Sequence, residues 1–178
     1  MHTVPHRLPR LLLTPLLLAA MVACNPALNW REVRGGDAPY TVLLPAKPTT
    51  FARPVDLNGL KVEMSMTAAE VDGVSYAVAS ARVPDATQRT AALAAMQEAM
   101  LRNISANQPK ERAVVLEGGT PAIEVTARGH TGASKRALAM HARFAQHGER
   151  VFQAVAIGPA DALTPEAAET FLESFTLR

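Results

Sequence analysis

Cysteine is almost missing from this chain: Cys24 is the only one in 178 residues. No intrachain disulfide can form, although exported proteins often rely on them. Metal-binding and nucleophilic signatures are missing as well. There is no HxH or HExxH pair, no GxSxG elbow, and no glycine loop followed by Lys-Ser/Thr. These absences remove the usual sequence marks of a zinc centre, an α/β-hydrolase serine and a phosphate loop. An excess of charge is missing too. The 18 basic and 16 acidic residues leave a formal net charge of +2, and a balance that even gives no ground for nucleic-acid binding.

Acidic residues are absent from the first stretch altogether. Residues 1–23 carry Arg7 and Arg10, then an apolar run from Leu11 to Ala23 broken only by Thr14 and Pro15. A positive start, a short apolar core and small residues at its end describe a secretory signal peptide. The run is shorter than the roughly 20 residues needed to span a bilayer, so a permanent transmembrane helix is not expected. Cleavage after Ala23 would place bulky Met21 third from the cut, which suits ordinary signal cleavage poorly. The stretch Met21-Val22-Ala23-Cys24 instead resembles the bacterial lipobox, with Met21 in place of the usual leucine. That resemblance implies removal of residues 1–23 and acylation of the Cys24 sulfur, chemistry that needs a thiolate. Anchoring on a membrane follows, since each buried methylene of an acyl chain contributes ~0.8 kcal/mol. Without the two arginines of residues 1–23, the mature chain has equal numbers of acids and bases. Residues 24–29 read as a lipidated tether and residues 30–178 as one domain, the size range in which one core is expected.

Within residues 30–178 the patterning switches between strand and helix periods. Trp30–Arg34 and Pro39–Leu44 flank Gly35-Gly36-Asp37 and predict a hairpin. From Leu60 to Ala68 the side chains alternate, with Val62, Met64, Met66 and Ala68 on one face. The return strand after Asp72-Gly73 brings Val74, Tyr76 and Val78. With a three-residue loop, Met66 would sit opposite Tyr76 and Met64 opposite Val78, merging the apolar faces. Pro84-Asp85 opens a helix, with Asp85 as cap and Gln88 three residues on. Leu93, Met96, Met100 and Ile104 follow as a core stripe, and Asn107 and Pro109 close it. Ile123, Val125 and Ala127 alternate with Glu124, Thr126 and Arg128. A strand from Lys135 to Ala145 then pairs, through the turn at Gln146–Glu149, Phe144 with Val151, Met140 with Val155 and Leu138 with Ile157. The opposite face is half apolar, so both faces are expected to be covered. Thr164-Pro165-Glu166 opens a second helix with Ala168, Phe171, Leu172 and Phe175 on its buried side. The segment Pro45–Pro54 shows little periodicity, and Phe51 stands out within it as an exposed anchor or a tucked side chain.

The sequence YTVLLP early, RVFQAVAIGP late and AAETFLESFTL at the end is similar to the Mog1/PsbP-like superfamily. That resemblance implies an α+β fold: an antiparallel sheet of about six strands with helices packed on its faces, spanning Tyr40 to Leu177. It brings no shared catalytic residues, and fold alone says little about activity.

Candidates for chemistry are few. His130, His141 and His147 read as scattered rather than as metal ligands, and the serines at 65, 75, 80, 134 and 174 lack an elbow. Gly35-Gly36 and Gly118-Gly119 read as turns. Glu166, Glu169 and Glu173 read as a solvated helix face. No catalytic, cofactor or metal residue is assigned; the one assigned site is lipid attachment at Cys24. The expected role is a non-catalytic envelope lipoprotein that binds a protein or envelope component. Asn25 after the cysteine favours, by resemblance to lipoprotein sorting, the outer membrane facing the periplasm. Two other roles stay open. An envelope enzyme could assemble His141 with Glu124 or Arg143, and a periplasmic small-ligand carrier would need an apolar cavity between sheet and helices.

Overall fold

The computed structural model describes residues 28–132 and 135–178. The signal-type segment 1–23, Cys24 and the tether as far as Ala27 lie outside the described residues, as does Ser134. Twelve elements follow in chain order: β1 (Arg31–Arg34), β2 (Tyr40–Leu44), β3 (Thr49–Leu57), β4 (Leu60–Val71), β5 (Val74–Arg82), α1 (Ala86–Asn103), β6 (Asn107–Val115), β7 (Pro121–His130), β8 (Ala137–His147), β9 (Arg150–Pro159), α2 (Pro165–Glu173) and β10 (Thr176–Leu177). Seven strands form one antiparallel sheet in the order β3-β4-β5-β9-β8-β7-β6, and β1-β2-β10 form a small second sheet. The α+β class is as expected; the main sheet has seven strands where about six were anticipated. No helix among the described residues is long and apolar enough to cross a membrane.

Each face of the large sheet carries its own core. On one face α1 covers Met64, Met140, Phe144, Val151 and Val155, with Met66 and Met100 partly buried beside them. On the other, α2 and the small sheet cover Tyr76, Val78, Phe152, Ala154 and Ala156. The two faces differ in chemistry. Methionines 64, 66, 96, 100 and 140 all pack on the α1 side. Trp30, Tyr40, Tyr76, Phe152, Phe171 and Phe175 gather on the α2 side. There Trp30 and Tyr76 meet edge to face at 5.9 Å, and Tyr76 and Phe171 do so at 5.6 Å. Rings fix geometry by their edge-to-face preference, while thioethers fill irregular space. The α2 side is therefore the better defined of the two.

The expected caps are present. The Asp85 carboxylate accepts from the Gln88 amide at 2.8 Å, and the Thr164 hydroxyl accepts from the Ala167 amide at 3.2 Å, with Pro165 in the first turn. The β1–β2 hairpin forms, and the terminal Thr176–Leu177 pairs with β2.

Two registers differ from expectation. Asp72 and Gly73 both take positive φ, 53° and 76°, which makes a two-residue turn whose twist suits antiparallel strands. Strand β4 therefore runs on to Val71, and Met66 faces Ala79, Thr67 faces Val78, and Ala69 faces Tyr76. The offset is an odd number of residues, so it inverts the face. Val74, Tyr76 and Val78 join the aromatic side, while Ala77, Ala79 and Ala81 lie with the methionines. In the β8–β9 hairpin, Gly148 at φ 56° and Glu149 again make a two-residue turn, and Phe144 pairs with Gln153 and Met140 with Ile157. That offset is even, so Leu138, Met140, Phe144, Val151, Val155 and Ile157 still share the α1 face as expected.

Two strands were not anticipated. Strand β3 occupies the segment whose sequence shows little periodicity, and β6 occupies the polar stretch after α1. These are the two edges of the large sheet.

Candidate functional site

On the α2 face, beyond the aromatic core, strands β6, β7 and β8 present polar side chains in register. Arg112, Glu124 and Arg143 form one row across the three strands. Lys110, Thr126 and His141 form the next. Asn107, Arg128 and Ala139 form a third. Neighbouring strands stand ~4.8 Å apart, so each row spans roughly 10 Å. Between these rows and the start of α2 runs a cleft. Its larger part, about 470 Å³, is walled on the strand side by Asn107, Gln108, Lys110, Thr126, Arg128, Ala139 and His141, and on the other by Ala160, Leu163 and Pro165. A smaller part of about 270 Å³ reaches Glu124, Arg143, Glu169 and Glu173.

The first row is an ion network. Glu124 Oε1 accepts from Arg112 Nη2 at 2.6 Å, and Oε2 accepts from Arg143 Nε at 2.9 Å. Arg143 also donates from Nη1 to the Leu172 carbonyl at 2.6 Å. Helix α2 has no basic residue in its last turn, and the sheet supplies a cation to this terminal carbonyl, which also accepts the Phe175 amide at 3.3 Å. Burial raises the Glu124 carboxyl, but the hydrogen bonds and charges of Arg112 and Arg143 outweigh it and hold it below the usual carboxylate value.

The second and third rows hold no such ion pair. The side chains of Lys110 and Arg128 have no hydrogen bond or ion pair with any of the described residues. Burial lowers the His141 imidazole, the Glu124 charge partly offsets this, and Arg128 lowers it further. His141 is therefore held neutral at neutral pH.

The sequence-level candidates sort clearly against this geometry. His141, Glu124 and Arg143 come together, as the enzyme reading required. Glu124 is committed to two guanidinium groups, however, and the hydroxyl next to His141, that of Thr126, makes no hydrogen bond with it. His130 and His147 sit at strand ends with other partners, Thr131 O at 3.3 Å and Thr120 Oγ1 at 3.3 Å. The described residues hold no group of three His, Cys, Asp or Glu side chains placed to share a metal ion. Ser174 Oγ is structural: it accepts from the Leu43 amide at 2.8 Å and donates to the Phe171 carbonyl at 2.7 Å. Glu166, Glu169 and Glu173 are exposed on α2, as expected of a solvated face, and Glu169 and Glu173 also border the smaller part of the cleft. Gly118 and Gly119 both have positive φ in the turn between β6 and β7. Phe51 is 45% exposed on edge strand β3. The interior that a carrier would need is filled by Met64, Met66, Met96 and Met100. An apolar groove of about 390 Å³ lies instead at the surface between Leu93 and β6–β8, with Val115 71% exposed at its rim.

Lys110 and Arg112 do not stand out in the sequence, because the strand that carries them has no strand-like alternation.

No family model matches the chain, and no curated protein matches it in sequence. Among solved structures it is similar to the solution structure of cyanobacterial PsbP (CyanoP) from Synechocystis sp. PCC 6803. The match covers 90% of this chain and 99% of that one, at 13% identity and a TM-score of 0.54. The fold is PsbP-like. The expectation drawn from YTVLLP, RVFQAVAIGP and AAETFLESFTL is met at the level of fold. In this chain the PsbP-like sheet places the charged rows on the β6 side, next to the start of α2.

Proposed function

We propose that the protein is a non-catalytic lipoprotein of the bacterial cell envelope, anchored by acyl chains on Cys24, whose PsbP-like domain binds an envelope component. The observation that carries the binding reading is the division of labour in the cleft. Its central carboxylate is held by two arginines, while the Lys110 and Arg128 side chains are unpaired among the described residues. A general base needs a carboxylate or imidazole in reach of the proton it takes. Here the carboxylate holds structure together, the His141 imidazole has no hydroxyl hydrogen-bonded to it among the described residues, and the free cations are donors suited to recognition. The lipobox-like Met21-Val22-Ala23-Cys24 and the solitary thiol support the anchor, and Asn25 supports the outer membrane, facing the periplasm.

Two measurements test the two halves. Growth with a fatty-acid analogue labels the wild-type chain, and Cys24→Ala abolishes both label and membrane association. A Cys24→Ala protein that still takes up label sinks the anchor. For binding, a photo-crosslinking residue at position 160, on the cleft wall, yields a discrete adduct in intact cells, and the same residue at position 82 does not. Equal behaviour at the two positions removes the cleft as the binding surface.

A further inference from the structure

We propose that the cleft between β6–β8 and the start of α2 is a site for a phosphate monoester, held by Lys110, Arg128 and His141. This rests on the reading of the domain as a binding module and specifies its ligand chemistry. Three observations point the same way. Lys110 and Arg128 are exposed, unpaired among the described residues, and placed on one face by strand register. An unpaired cation pair facing a cleft matches the charge of ≈ −1.5 to −2 that a phosphate monoester carries at neutral pH. Arg128 offers a fork for two oxygens and Lys110 a point charge for a third. Between them, Thr126 and His141 add neutral donors, since an uncharged imidazole keeps one N–H. That set exceeds what the two oxygens of one carboxylate can accept, and it fits a tetrahedral oxyanion.

The volume supplies the second argument. A cleft of about 470 Å³ is larger than a bare phosphate, and small-molecule sites begin at ≈ 300 Å³. Asn107 and Gln108 extend its polar side, and Ala139, Ala160, Leu163 and Pro165 form an apolar side. A site with cations at one side and apolar surface at the other suits an ester, in which the anion is tied to an organic group. The third argument is the surrounding charge. Arg112 and Arg143 lie in the adjoining row with Glu124 between them, which leaves that row net positive. Glu169 and Glu173 close the far end of the cleft. Their charges repel a second anion and orient the ester toward the Lys110–Arg128 side.

The test uses the full chain purified in detergent, titrated calorimetrically with inorganic phosphate, glycerol 3-phosphate and acetate. Both phosphates bind saturably and acetate binds more weakly. In Lys110→Gln/Arg128→Gln the phosphate affinity falls by about a hundredfold, on the order of tenfold for each cation removed. Both side chains are exposed and unpaired, so the double variant keeps its melting temperature. Arg82→Gln, whose partner is Glu149 at the opposite end of the sheet, serves as a charge control and leaves affinity unchanged. Equal binding of acetate and phosphate, or full binding by the double variant, overturns the proposal. Phosphatidic acid in mixed micelles separates the sources of the ester. Competition with glycerol 3-phosphate points to a lipid headgroup, its absence to a soluble ester, and each supports the site. The crosslinking result keeps the two proposals apart. An adduct from position 160 with no phosphate binding removes the anion chemistry and leaves the binding module standing.

Discussion

Replacing Glu124 with Gln tests how much the Arg112–Glu124–Arg143 network contributes to stability. The two arms differ in worth. The Arg112 side chain is 70% exposed, and an ion pair so open to water contributes about 0–1 kcal/mol. Arg143 and Glu124 are each only 14% exposed at 2.9 Å. Breaking a fully buried pair costs about 3–5 kcal/mol, because the surviving charge stays desolvated. Glutamine retains one acceptor, and water still reaches this pair, so the expected loss is about 2 kcal/mol. For a chain of this length that lowers the melting temperature by ~4–8 °C. The pH dependence has a definite sign. The folded-state Glu124 carboxyl lies below its ordinary value, so its stabilising contribution is full above the unfolded-state pKa. It is lost as pH falls through the folded-state value. Urea titrations of both proteins across that range show a constant gap at neutral pH that closes in acid. A double variant, Glu124→Met/Arg143→Met, is less destabilised than Glu124→Gln, since the one charge left unpaired, Arg112, is open to water. A gap at neutral pH within about 0.5 kcal/mol of zero, or one that persists unchanged into acid, refutes the reasoning.

Two further predictions concern the framework around the cleft. Phe171 is fully buried against Tyr76 at 5.6 Å, so Phe171→Ala destabilises by about 3–5 kcal/mol; chemical denaturation measures it, and a loss below about 1 kcal/mol contradicts the packing described. Gly129 has no room for a Cβ, which would run into the Ile104 carbonyl that also accepts the His130 amide at 2.7 Å. Gly129→Ala therefore costs about 1–3 kcal/mol and speeds amide exchange at His130; unchanged exchange there contradicts the close approach.

What the sequence revealed and what it hid follow one rule. Elements with a buried face were legible. In β8 and β9 the alternation of large apolar side chains located both strands and identified their α1 face, even though the pairing was offset by two residues. The caps at Asp85 and Thr164 were legible because each satisfies a local need of the backbone. The β4–β5 register was not, because the clean alternation stops at Ala68 while the strand does not. Ala69 and Val71 continue it, and the Asp72-Gly73 dipeptide is itself the signature of a two-residue turn. Strand β3 left a comparable clue. Asn58 and Gly59 both take positive φ, 57° and 90°, between Leu57 and Leu60, and that dipeptide predicts a hairpin whose first strand is β3.

Strand β6 was hidden for a different reason, and it is the reason the site was hidden too. An edge strand is exposed on much of its surface and protects itself with charges, prolines and bulges. Strand β6 has all three: Lys110, Glu111 and Arg112 in sequence, Pro109, and a bulge between Asn107 and Lys110 where Gln108 takes φ 50°. Each feature weakens the strand pattern, yet together they bring Lys110 and Arg112 alongside Thr126 and Glu124. The charges that guard the edge against pairing with another chain are the same charges that face the cleft. A surface can serve both ends only if its cations are not all neutralised within the sheet. Glu124 pairs with both cations of one row and leaves those of the next two open. Had the sheet carried an acid in place of Thr126 or His141 as well, the edge would be equally well guarded and the cleft would have no preference for an anion.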